Sequence, residues 1–216
     1  MEPDAASVFR AALDTYERER DQAAQQQRYR VLASGAYVTC GRGCSNCCSQ
    51  MVAIVLADAL SIARWLIKTR PRHELRRIVA RLQEDGEAQR PSGPVEWLQR
   101  ETPCTFLSTD GSCGVYPVRP LNCRRMLVST PAAWCHPSNL LRAVKDAATP
   151  LPKMENWPEF DPVIGDAQEV VRPLLRAAGI EGDLPPAPLP LAVAAALHAL
   201  MTGQPEALRS WAEGKR

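Results

Sequence analysis

Several catalytic signatures are missing from this chain of 216 residues. It has no GxGxxG, no P-loop, no HExxH and no GxSxG, so dinucleotide, nucleotide, zinc-protease and serine-hydrolase chemistries have no sequence support. It also lacks a long apolar run. The longest, Leu189 to Met201, is broken by Pro190 and His198 and is too short to cross a bilayer. The opening residues MEPDAASVFRAALD carry acids and no apolar core, so no signal peptide is expected and a reducing, cytoplasmic setting is. Net charge is only +2. RNA-recognition, helix-turn-helix and zinc-finger spacings are absent, which leaves no clear nucleic-acid signal. Internal repeats and low-complexity tails are absent too.

What the chain does have is cysteine. Cys40, Cys44, Cys47 and Cys48 fall within nine residues, with Gly41 and Gly43 among them to let the backbone turn tightly. Cys104, Cys113 and Cys123 follow in a second region, and Cys135 stands beside His136. Buried cysteine in an ordinary core is scattered, whereas clustered thiols on turn-rich spacers suit a metal or an iron–sulfur cluster. Disulfides are the alternative, disfavoured because vicinal Cys47 and Cys48 do not readily bond to each other and the chain does not look secreted. The basic residues gather in the same place. Residues 31–150 hold 15 Lys/Arg against 9 Asp/Glu, and Arg119, Arg124 and Arg125 crowd Cys123, where charge compensation for thiolates is preferred to an anion or substrate site.

Around the cysteines the pattern is helical. Residues 4–33 read as a helix with Val8, Phe9, Ala12, Leu13 and Tyr16 on one stripe, capped by Asp4 or Ser7, and a solvated polar section from Glu17 to Arg30. Val52, Ile54 and Leu56 suggest a short strand, after which Asp58 caps a helix that ends before Pro71. The next helix carries Leu75, Ile78, Val79 and Leu82 and stops near Gly86. His73 is expected at the surface. Asp110-Gly111 predicts a tight turn that brings Cys104 and Cys113 together. Asp161-Pro162 opens a further helix, kinked at Pro173, and Leu184–Pro190 reads as an extended linker. A last apolar helix over 190–202 should keep His198 in the core, and a final turn leads toward Trp211. The expected fold is mainly α, with helices framing an irregular, metal-stapled cysteine-rich centre and at most short strand stubs. Residues 1–35 form an N-terminal helix, 36–150 the metal-binding domain and 151–216 a helical extension.

The motif Cys40-x3-Cys44-x2-Cys47-Cys48, followed by Pro-Cys-x-Phe-Leu-x-x-Asp-Gly-x-Cys-x-Val-Tyr-x-x-Arg-Pro-x-x-Cys-Arg, resembles the CxxCxxCC proteins, also called the YkgJ family. The likeness covers about residues 36–136, and three residues rather than two separate Cys40 from Cys44. Family members are described as zinc- or iron-chelating cysteine-cluster proteins of bacteria and some other organisms. The resemblance implies metal binding, with all eight cysteines as candidate ligands and zinc, iron or a 4Fe–4S cluster as the cofactor. Three functions stay open. They are a metal-binding protein, an iron–sulfur enzyme that modifies another macromolecule (flagellin lysine methylases carry a similar cluster), and a zinc-stapled module for a protein partner.

Overall fold

One stripe of the first helix sets the architecture. In a computed structural model that describes residues 5–90, 92–155, 158–177, 179–182 and 184–208, α1 spans Ala5–Ala33. Its buried positions are Leu13, Tyr16, Arg20, Ala23, Gln27 and Val31, the three-and-four spacing of one helix face. The expectation of a solvated Glu17–Arg30 section is therefore corrected. Arg20 and Gln27 are long enough to continue the apolar stripe because each finds a buried partner, Arg20 on Asp58 and Gln27 on the carbonyl of Arg125. Val8 is 41% exposed. The Asp4 cap lies outside the described residues.

The centre of the core is α2, Leu56–Thr69, buried at every position from Leu56 to Ala63 and again at Leu66. Helix α3 covers Arg72–Gln89, α4 Pro94–Arg100, α5 Leu121–Arg124, α6 Pro137–Lys145, α7 Asp161–Ala177 and α8 Leu189–Thr202. Helix α7 packs on α1 and α2, and α8 on α2 and α3. Alanines 192, 194, 196 and 199 let α8 approach its neighbours closely, while Val193 and Leu197 are fully buried. A buried Leu of this kind contributes about 1.5–3 kcal/mol. Helix α3 runs through Gly86 instead of stopping there. A Cβ at Gly86 would stand 2.3 Å from Leu191 Cδ2, so this glycine serves close packing on α8 and not chain termination.

Two strands of two residues complete the frame. Strand β1, Ala53–Ile54, pairs antiparallel with β2, Ala187–Pro188, in the register Ala53↔Pro188 and Ile54↔Ala187. The Leu184–Pro190 stretch is thus partly sheet and not only linker. Leu189 N–H extends the pairing to the Val52 carbonyl at 2.8 Å. Helix α7 continues through Pro173. His73 is exposed as expected, but His198 is exposed as well, on the solvent side of α8. Apolar neighbours in sequence do not bury a residue whose helix face points outward. The final turn is a 3-10 turn over Pro205–Leu208, and Trp211 lies outside the described residues. Among those described, no helix is long and apolar enough to cross a membrane.

Candidate metal centre

The first cysteine group is a chain of tight turns. Cys44 N–H donates to Gly41 O (3.2 Å), Cys48 N–H to Ser45 O (2.8 Å) and Gln50 N–H to Cys47 O (3.1 Å). Gly43 takes φ +89°, a conformation glycine adopts without the Cβ clash other residues meet. The second group forms a small looped ladder. Leu107 bridges Cys113, Ser108 N–H reaches Ser112 O at 2.9 Å and Gly114 N–H reaches Phe106 O at 2.7 Å. Asp110 Oδ1 accepts from both the backbone and the hydroxyl of Ser112. The hairpin-like loop expected at Asp110-Gly111 is present. Cys104 N–H donates to Cys48 O at 2.7 Å, which joins the two groups across more than fifty residues of chain.

Two helix carboxylates hold the second region against the core. Asp58 is buried within the first turn of α2 and does not act as its cap, since Val55 occupies that position. Its Oδ1 accepts from Tyr16 Oη (3.0 Å) and Arg20 Nη1 (3.2 Å), and its Oδ2 from Leu121 N–H (2.9 Å). Leu121 begins the short helix that carries Cys123. Burial pushes the Asp58 carboxyl up, while Arg20 and the Leu121 amide oppose that shift. Asp85 of α3 accepts from the Thr105 hydroxyl, next to Cys104, and from Arg81 at 3.0 Å.

Cys44, Cys47, Cys48, Cys104, Cys113 and Cys123 line one open cavity of about 240 Å³. Cys40 and Cys135 lie off its wall. Cys40 Sγ accepts from Val128 N–H at 3.3 Å. Cys135 is buried in a 3-10 turn, with its carbonyl taking a hydrogen bond from Gln50 Nε2 at 3.0 Å. His136 caps α6 through its ring, which accepts from Ser138 N–H. All eight cysteines are free thiols. Among the described residues, no three His, Cys, Asp or Glu side chains stand gathered closely enough to hold an ion.

Burial raises the thiols of Cys40, Cys113 and Cys123, takes Cys104 up to about 11 and takes Cys135 up to about 12. Cys47 is raised first by its hydrogen bond with Cys48 and then by burial. One cation opposes these shifts. Arg119 lowers Cys40, Cys47, Cys113 and Cys123 through its charge. Its guanidinium stacks 4.0 Å from the Tyr116 ring centre, and its buried Nε has no hydrogen-bond partner. Arg124 is otherwise engaged, with the carbonyls of Pro117 and Arg119 and with Asp21. The sequence pointed to the cysteines and to Arg119. It gave no sign of Gln50, Asp58 or Asp85 as supports, because a single polar residue in an amphipathic helix carries no mark of what it will meet.

Soft thiolate donors and a nearby cation are the chemistry of zinc or iron–sulfur sites and not of magnesium or calcium. Residues 39–138 match the sequence model of the CxxCxxCC family, whose description reads "Putative zinc- or iron-chelating domain". No curated protein and no solved structure matches the chain.

Proposed function

From the premise that residues 39–138 are a CxxCxxCC domain, we infer that this metal-binding cysteine protein takes zinc or iron through the thiolates of both cysteine groups. The observation that carries this is the Cys48–Cys104 backbone hydrogen bond, with six thiols around one cavity. The eight cysteines divide into two sets of four. Cys135 senses the charges of Cys47, Cys40 and Cys44, which supports a set of Cys40, Cys44, Cys47 and Cys135. Cys123 senses Cys104, then Cys47 and Cys113, and Cys104 N–H donates to the Cys48 carbonyl, which supports a second set of Cys48, Cys104, Cys113 and Cys123. Cys47 is felt from both sides.

Each set would offer four thiolates, the number that a structural zinc or a 4Fe–4S cluster takes. To hold such an ion the thiols would have to give up their protons. Arg119 would offset half of the formal double negative charge of one tetrathiolate centre. Zinc would supply a structural staple, and an iron–sulfur cluster would supply one-electron chemistry. Residues 36–150 act as the metal-binding unit, framed by helices from residues 1–35 and 151–216. A reducing compartment such as the cytoplasm keeps the thiols available.

Protein purified without oxygen tests this by metal analysis, acid-labile sulfide and visible absorbance. Two zinc ions per chain and no colour give the zinc form, and iron with sulfide and a band bleached by dithionite gives the cluster. A chain that neither holds nor takes up a stoichiometric thiophilic metal refutes the reading. An enzyme role, an iron–sulfur centre acting on a macromolecule, has one observation in its favour. The cavity beside the thiols leaves room for a substrate group and is lined by Arg119.

A further inference from the structure

The cavity that faces the thiols is lined by sulfur on more than one side. Besides six cysteines its wall includes Met51, Met126 and Met154, three of the five methionines in the chain. They arrive from separate segments. Met51 lies three residues beyond Cys48, and Met126 three residues beyond Cys123. Met154 is brought beside Val128, two residues beyond Met126, by an isolated antiparallel bridge, Val128↔Met154, and by Glu155 N–H donating to Leu127 O at 3.0 Å. Met154 falls outside residues 39–138, the stretch matched by the family model.

Methionine commonly fills irregular gaps in cores. That account fits poorly here, since Met51 and Met126 are only half-buried and Met154 is 44% exposed. They border an open cavity instead of plugging a closed one. No aspartate, glutamate or histidine joins them in the lining, so the donors on offer are soft sulfur together with a few amides and hydroxyls. Thioether sulfur adds little for zinc, whose protein ligands are thiolate, imidazole and carboxylate. Mixed thiolate and thioether donors select monovalent copper.

We propose that this cavity is a Cu(I) site, in which Met51, Met126 and Met154 supply thioether ligands at the open side and cavity cysteines supply thiolates. The proposal rests on the metal-binding reading for its thiolates and adds the thioethers and the ion. Cu(I) binds without change of oxidation state, and the thiols lose protons to solvent as it enters.

The test uses the full chain, handled without oxygen, with Cu(I) alone competed against a chromophoric Cu(I) chelator and Zn(II) alone against a zinc indicator. The triple variant M51L/M126L/M154L keeps side-chain volume nearly constant. Its Cu(I) affinity should fall by roughly tenfold or more, as loss of soft ligands demands, with zinc affinity unchanged. M201L, at a 40% exposed methionine outside the cavity, should leave both unchanged. Should the triple variant fail to fold, M154L alone is read at its exposed position and must still weaken Cu(I). Unaltered Cu(I) affinity, or parallel loss of zinc, overturns the proposal. Zinc or iron binding with Cu(I) indifferent to the thioethers sinks the copper site and leaves the metal-binding reading standing. A wild-type chain that binds none of the three ions sinks both.

Discussion

Replacing Asp58 with Ala strands three donors at once. Tyr16 Oη, Arg20 Nη1 and Leu121 N–H all point at this carboxylate, and Arg20 is 1% exposed. Removing one partner of a buried ion pair costs about 3–5 kcal/mol because the remaining charge stays buried. Asp21, 3.4 Å from Arg20 Nε, retains part of the compensation and favours the lower half of that range. At roughly 2–4 °C per kcal/mol for a chain of this size, the D58A variant should melt about 6–15 °C lower. Circular dichroism at 222 nm follows the transition. Metal uptake by the same variant should drop as well, because the Leu121 amide anchors the segment that presents Cys123. In the double variant R20M/D58A the buried charge is gone, and most of the lost stability should return. A D58A melt within 2 °C of wild type, or a double variant no better than D58A, would refute the argument.

Gly86→Ala places a methyl 2.3 Å from Leu191 Cδ2, so despite better helix propensity it should destabilise by about 1–3 kcal/mol. L191A in the same chain should relieve the clash in chemical denaturation. Cys113→Ala should lower metal content, and thermal stability with it if the metal is structural; unchanged melting after chelation would point to carriage or catalysis. The metal-free chain should lose stability in alkali. The thiols of Cys104 and Cys135 are raised from 9.0 to about 11 and about 12, so their contribution is full below pH 9 and is lost as pH climbs through those values. Melting temperatures of chelator-treated protein across pH 8–11 check this, and a flat profile would contradict it.

The helical frame was largely legible because apolar residues repeat with the helix period in α2, α3 and α7, and the cysteines announce their own chemistry. Two kinds of feature were not. Arg20 and Gln27 look like surface residues until α2 and the Arg125 carbonyl come within reach, and no local pattern encodes a partner nearly forty or a hundred positions away. Gly86 reads as a stop signal by propensity, yet packing against Leu191 overrides propensity. His198 shows the converse error, since an apolar sequence neighbourhood implies burial only on the face that meets another element. In the centre, the sequence pointed to the cysteines but not to the carboxylates that hold their loops, Asp58 for Cys123 and Asp85 for Cys104.

The pairing of β1 with β2 has a consequence for synthesis. Ala53 waits for Pro188, and α2 waits for α8, roughly 130 residues further along the chain. At about 5–20 residues per second, the thiol-rich run leaves the ribosome on the order of ten seconds before the element that closes the core over it. During that interval the first four cysteines are solvent-accessible and close in sequence, with the second group still arriving. A thiophilic ion or an oxidant present in that interval meets these thiols before the core is closed.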